Sequence, residues 1–180
     1  MRVIAGSAKG TRLAAVPGPT RPLADRAREG LFSSVGHAVV GCRFLDLFAG
    51  TGAVGIEALS RGAASATLVD SSPAAIRAVR ENLRRSRLAD GATVLRADAR
   101  RALGGLRGPF EVVFLDPPYA IAPAALDAVV AAIASNGIVA PDGLVILTRP
   151  DGGYMPVIPI DWAADRRLSY GDAVILAYRT

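Results

Sequence analysis

Several chemically versatile residues are almost missing from this 180-residue chain. There is one cysteine, Cys42, so an internal disulfide is excluded, and one histidine, His37, so the two together cannot build a metal site. Cys42 is expected as a buried, inert thiol just ahead of the first main strand, and His37 as a loop residue. No apolar run reaches the roughly 18 residues of a spanning helix, and the start lacks the apolar centre of a signal peptide. These absences predict a cytoplasmic protein with no membrane contact and no metal. With 51% hydrophobic and 21% charged residues, disorder is not expected. The length suits one domain with a small appendage, and no internal repeat stands out beyond an alanine and arginine bias.

Lysine is also scarce: Lys9 is alone, and arginine carries the rest of the positive charge. The formal net charge of +5 is unevenly placed. Residues 1–30 hold Arg2, Lys9, Arg12, Arg21, Arg26 and Arg28 against only Asp25 and Glu29, while the remainder is nearly neutral. A basic arm on a balanced body suits a polyanionic partner, and nucleic acid is favoured over simple arginine bias because the charge is segregated.

The chain begins with two short apolar stretches, Arg2 to Gly6 and Thr11 to Ala14, joined by Ser7-Ala-Lys-Gly10, which predict a hairpin outside the main sheet. Pro17-Gly-Pro-Thr-Arg-Pro22 predicts a stiff linker. A helix is expected from Asp25 to Val35, ended by Gly36, with Leu31, Phe32 and Val35 inward and Asp25, Arg28 and Glu29 on the solvated side. From Arg43 onward strands and helices alternate, which predicts a parallel, doubly wound α/β sheet. Ala53 to Ser60 forms the first crossover helix. Ser72 caps the next, with Pro73 in its first turn, where a missing N–H costs nothing. Arg77, Arg80, Arg84 and Arg87 share one side of that helix, and a solvated outer face is the favoured reading. Ala124 to Ser135 is a later helix, Leu144 to Thr148 a fifth strand, and Arg167 to Tyr170 with Ala173 to Tyr178 a terminal hairpin.

Two motifs carry the chemistry. The first is the strand Arg43-Phe-Leu-Asp46-Leu followed by Phe48-Ala-Gly50-Thr51-Gly52-Ala-Val-Gly55, the glycine fingerprint of a nucleotide-cofactor turn between strand and helix. Its spacing fits NAD, FAD or S-adenosylmethionine equally, and it is not a phosphate-binding Walker loop. The second is Asp116-Pro117-Pro118-Tyr119, which ends the apolar run Phe110 to Leu115. Two prolines make a stiff exit that offers carbonyls and no N–H. The Asp116 carboxylate and the Pro117 carbonyl can accept both N–H bonds of an amino group, and Tyr119 can stack on a planar ring. Acids also end the strands on either side of this order: Asp46, Asp70, Asp98 and Asp116 close four successive strands. Asp70 is expected on ribose hydroxyls. Any one Asp is more simply a helix cap, but four at one sheet edge point to a ligand site.

In this order the motifs resemble the S-adenosylmethionine-dependent enzymes that methylate exocyclic amines of nucleobases. The N-terminal pieces Arg2-Val-Ile-Ala-Gly6, Gly10-Thr-Arg12-Leu13 and Arg21-Pro22-Leu-Ala-Asp25-Arg26-Ala-Arg28-Glu29-Gly-Leu31-Phe32 extend the resemblance, over nearly the whole chain, to the bacterial RsmD family of 16S ribosomal RNA (guanine-N2)-methyltransferases. That resemblance implies a Rossmann-like class I methyltransferase sheet of seven mostly parallel strands with a terminal antiparallel hairpin. It also implies an RNA-contacting extension over residues 1–36 and a catalytic domain over residues 37–180. The cofactor would be S-adenosylmethionine, held by Asp46 at its ammonium, by Phe48, Gly50, Thr51, Gly52 and Gly55 along the turn, by Asp70 at the ribose and by Asp98 at the adenine amine. Asp116, Pro117, Pro118 and Tyr119 would be catalytic. Arg2, Lys9, Arg12, Arg21, Arg26 and Arg28 would meet 16S ribosomal RNA, within a partly assembled small subunit. One departure stands out: the resembled family ends its fifth strand with a glutamate where this chain has Thr148 and Arg149, so no role is carried over there.

Three rival readings remain at this stage. An adenine-N6 methyltransferase would use the same Asp-Pro-Pro-Tyr unit, although the chain lacks a sizeable DNA-recognition domain. An NAD(P)-dependent oxidoreductase would use the same glycine turn but wants a proton-transfer group, and His37 is poorly placed for that. A non-catalytic RNA-binding protein with a vestigial cofactor site is the third.

Overall fold

The computed structural model describes residues 1–16 and 23–180. The proline-rich stretch 17–22, Arg21 included, lies outside them. The main body is a seven-stranded sheet: β1 (Arg43–Leu47), β2 (Ser65–Asp70), β3 (Ala92–Arg96), β4 (Phe110–Leu115), β5 (Val139–Pro150), β6 (Ala163–Tyr170) and β7 (Ala173–Arg179). Their spatial order is β3-β2-β1-β4-β5-β7-β6. The first five run parallel, and β7 inserts antiparallel between β5 and β6. Strand order reverses between β1 and β4, the switch point at which open α/β sheets bind ligands beyond their carboxyl ends.

The burial pattern explains why apolar runs, rather than alternating ones, make these strands. Successive side chains point to opposite faces, and both faces here are covered. Phe44, Val112, Phe114, Leu144 and Ile146 pack with α1 (Asp25–Val39), α2 (Ala53–Ser60) and α3 (Pro73–Ser86). Leu45, Val113, Leu115, Val145 and Leu147 pack on the other side with α4 (Ala99–Leu103) and α5 (Pro123–Ser135). Trp162, in the segment before β6, closes that second layer. Each such large side chain withdrawn from water contributes roughly 1.5–3 kcal/mol, so the doubled core dominates stability.

Four expectations change. Helix α1 runs through Gly36 to Val39, because Val35 and Val39 continue the buried stripe and the break comes at Gly41, with φ +75°. His37 therefore sits in the last helical turn, not in a loop. The N-terminal hairpin reduces to a single bridge, Arg2 with Arg12, closed by backbone bonds such as Val3 N–H to Thr11 O at 3.0 Å. Strand β5 starts five residues before Leu144. Cys42 is buried as expected, and burial, with Glu111 nearby, pushes its thiol up to about 12. Among the described residues no helix is long and apolar enough to cross a membrane, and no group of side chains could hold a metal ion.

The N-terminal segment is fastened to the main body rather than standing apart. Glu57, fully buried on α2, accepts the N–H groups of Ile4 and Ala5 at 2.8 and 3.0 Å. Ser60 accepts from Ala8 N–H at 2.9 Å, and Asn82 on α3 bonds both the N–H and the carbonyl of Ala14, at 2.6 and 3.1 Å. Val3, Ala8 and Leu13 join the same core as Val54 and Ile56.

Candidate active site

The carboxyl ends of β1, β2 and β4 open on a cavity of about 600 Å³. Asp46, Phe48, Gly50, Thr51, Asp70 and the whole run Asp116 to Tyr119 line it, and Val16 and Leu23 add the N-terminal segment to its wall. Chain direction dictates this gathering: parallel strands all release their acids on one edge.

The glycine turn works by conformation as much as by space. Gly52 caps α2 at φ +77°, a left-handed backbone that an L side chain rarely adopts. A Cβ on Gly55 would come within 2.8 Å of Leu68, so that glycine sets how closely α2 lies on β2. Neither lines the cavity itself. Gly50 and Thr51 do, and Phe48 joins them through an uncommon φ of +65°.

The carboxylates differ in state. Asp46 is buried and accepts Gly55 N–H at 2.9 Å. Burial pushes its carboxyl up to about 8, opposed by the Gly55 bond and reinforced by the nearby charges of Asp116 and Asp70. Such a group gains most from a cation placed beside it. Asp70 ends β2 and clamps the turn, accepting Gly50 N–H and Ser72 N–H at 2.8 Å each. Each carboxylate oxygen has two lone pairs, so Asp70 keeps capacity for hydroxyl donors in the cavity.

Asp116 leaves β4 directly beside Thr148 of β5, because Leu115 and Leu147 are paired in register. The buried Thr148 hydroxyl donates to Asp116 Oδ1 in a short hydrogen bond. Burial raises the Asp116 carboxyl to about 6, opposed by that bond and by the Arg149 charge. The Pro117 carbonyl accepts no hydrogen bond among the described residues, whereas the Pro118 carbonyl is taken by Ile121 N–H at 2.9 Å. Tyr119 is 45% exposed and lies at the mouth. A second, smaller cleft shares Leu23, Asp116 and Tyr119 with the first, and is completed by Ala24, Ala27, Thr148, Tyr170, Asp172 and Ala173.

Besides Gly52 and Gly55, two expected site residues fall elsewhere. Asp98 is exposed, caps α4 by accepting Arg101 N–H at 3.1 Å, and does not line the cavity. The cap reading that applies to any single Asp is what the structure gives it. Arg28 is wholly buried, so it cannot meet RNA. It pairs with Asp25 at 3.0 Å, donates to the Arg2 carbonyl and lies 3.8 Å from Glu57. Its side chain thus turns inward with Leu31 and Phe32, joining α1, α2 and the N-terminal segment. Arg2, Lys9, Arg12 and Arg26 are exposed. Sequence reasoning missed Val16, Leu23 and Ala75 on the cavity wall and the bond from Thr148. Thr148 did carry a signal, as the place where this chain departs from the resembled pattern.

Known proteins resemble this chain over its full span. A family model described as "Conserved hypothetical protein 95" matches residues 1–179. The Escherichia coli K12 protein named "Ribosomal RNA small subunit methyltransferase D" is 32% identical over 180 residues, covering 99% of this chain and 89% of that one. Bacillus subtilis YlbH is 38% identical over 187 residues, covering 99% and 98%. The solved structure of a hypothetical protein from Thermus thermophilus superposes with a TM-score of 0.84 at 34% identity, covering 100% and 99% of the two chains.

Proposed function

The chain belongs to the family described as conserved hypothetical protein 95, which includes the small-subunit ribosomal RNA methyltransferases D, and from that premise we propose that it methylates the exocyclic N2 amine of a guanine in 16S ribosomal RNA. S-adenosylmethionine is the methyl donor, and a partly assembled small subunit in the cytoplasm is the setting. The observation that carries the reading is the meeting at Asp116 of a cavity large enough for a nucleoside cofactor and a smaller cleft lined by Asp116, Tyr119 and Thr148.

The residues present fit the donor. Asp46, a buried carboxyl starved of a cation, suits its ammonium. Asp70 suits its ribose hydroxyls, and the Phe48 to Thr51 turn, which lines the cavity, would hold the methionine portion. Bound there, S-adenosylmethionine supplies an electrophilic methyl on sulfonium. Everything else falls to the protein.

A guanine amine is a poor nucleophile because its lone pair is delocalised into the ring. Asp116, with one oxygen engaged by Thr148, and the open Pro117 carbonyl accept its two N–H groups and turn the lone pair toward the cavity. Alignment at roughly 3–3.5 Å then supplies much of the rate. Positive charge grows on nitrogen as the bond forms, so the fixed carboxylate and carbonyl dipole favour the transition state over the ground state. Asp116 takes the departing proton or passes it to water. Extruding the base from its stack costs roughly a few kcal/mol, which stacking on Tyr119 offsets in part.

Nucleoside mass spectrometry of small-subunit ribosomal RNA, treated with the protein and labelled donor, tests the base and the atom. N2-methylguanosine is expected; label in the amine of adenine sinks the assignment. Asp116→Ala is expected to lower turnover on the order of 10³-fold. Calorimetry should show S-adenosylhomocysteine binding intact in that variant, and joint loss of both would remove Asp116 from its catalytic role.

A further inference from the structure

The near-neutral total outside the N-terminal arm conceals two opposed regions. Residues 77–107 hold nine arginines against Glu81, Asp90 and Asp98, whereas residues 108–180 hold four against eight acids. Partnering differs as sharply as number. On the acidic side Arg166 and Arg179 pair with Asp165, at 2.6 and 3.2 Å, and Arg167 pairs with Asp151 at 3.3 Å. On the basic side Arg84 and Arg85 share Glu81. Arg77, Arg80, Arg87, Arg96, Arg100 and Arg101 are all exposed and have no acidic partner among the described residues.

These six flank the β3 edge of the sheet, with α3 on one face and α4 on the other. Arg77, Arg80 and Arg87 run along α3 and its C-cap, and Arg96 ends the edge strand β3 in register with Asp70. Arg100 and Arg101 open α4, beside the ligand edge. Arg84 and Arg85 show that an acidic partner is available on this face, yet these six remain unpaired among the described residues. We infer that the α3–β3–α4 edge is a phosphate-binding track for the ribosomal RNA, leading the strand to the mouth at Tyr119. The inference rests on ribosomal RNA being the substrate. It adds to the exposed N-terminal cations Arg2, Lys9, Arg12 and Arg26, whereas Arg28 of that arm is internal.

Three double variants of the full-length protein remove equal charge: Arg77→Gln with Arg80→Gln, Arg100→Gln with Arg101→Gln, and Arg167→Gln with Arg179→Gln. Binding to small-subunit ribosomal RNA is measured across salt concentration, with S-adenosylhomocysteine binding as the check on folding. Each lost phosphate contact flattens the slope of log K against log salt by about 0.7–0.9, so the first two variants should each lose about 1.5. The third should lose far less. Equal losses in all three would reduce the effect to net charge and overturn the track, as would an unchanged slope in the first two. If wild-type protein binds and methylates no ribosomal RNA, it is the functional reading that fails instead.

Discussion

At the scale of single residues, Asp116 can work only while it is ionised and has an oxygen to spare. Thr148 serves both conditions by donating to Oδ1 and by favouring the charged form. Arg149 acts in the same direction, while burial opposes them, and Asp46 lies close enough to feel the Asp116 charge. The resulting value of about 6 sets a limit: turnover is present above it and lost as pH falls through it. A plot of kcat/KM against pH should therefore bend downward near pH 6. Thr148→Val removes a bond that held the carboxyl down, so the bend moves upward, and activity at neutral pH falls to about half once the bend reaches pH 7. Thr148→Ser should restore the wild-type profile. A Val variant with an unmoved bend would show that the hydroxyl does no more than fill space.

Among elements, α2 is the hub, since Glu57 on it holds the N-terminal segment, Arg61 at 2.7 Å and the buried Arg28. Glu57→Gln leaves Arg28 buried with one carboxylate fewer, and breaking such a pair costs about 3–5 kcal/mol. Chemical denaturation should report a loss of that order; a loss below about 1 kcal/mol would show that Asp25 alone satisfies Arg28. This hub also marks where sequence reading ran out. The glycine turn, the Asp-Pro-Pro-Tyr exit and the alternation of strand and helix were legible because each is local. Arg28 was misplaced because its partner Glu57 lies 29 residues further on, and helical spacing alone put it among polar neighbours. Asp70 and Asp98 look equivalent in sequence, yet one ends a strand beside the switch point and the other caps a short helix past the edge strand. Thr148 meets Asp116 only through β-sheet register, which a parallel crossover hides from any local pattern.

For the molecule as a whole, the boundary expected at residue 36 does not divide the core. Val3, Leu13, Leu31, Phe32 and Val35 pack in one cluster with the strands. A fragment of residues 37–180 exposes that whole layer, and it is expected to lose the cooperative thermal transition of the full chain. A sharp transition in the fragment would instead establish the extension as separable. Charge is divided at this scale too, the basic α3–β3–α4 edge standing across the sheet from the acid-balanced β5–β7–β6 side. The insertion of β7 has its own consequence for biosynthesis. Among the described residues β6 pairs with β7 alone, and β7 is the last of the seven strands in chain order. While the chain is still being translated, β5 keeps an open flank and β6 has nowhere to dock. The cleft wall formed by Tyr170, Asp172 and Ala173 can close only after this last strand has emerged. One wall of the cleft at Asp116 is thus the last part of the sheet that synthesis can complete.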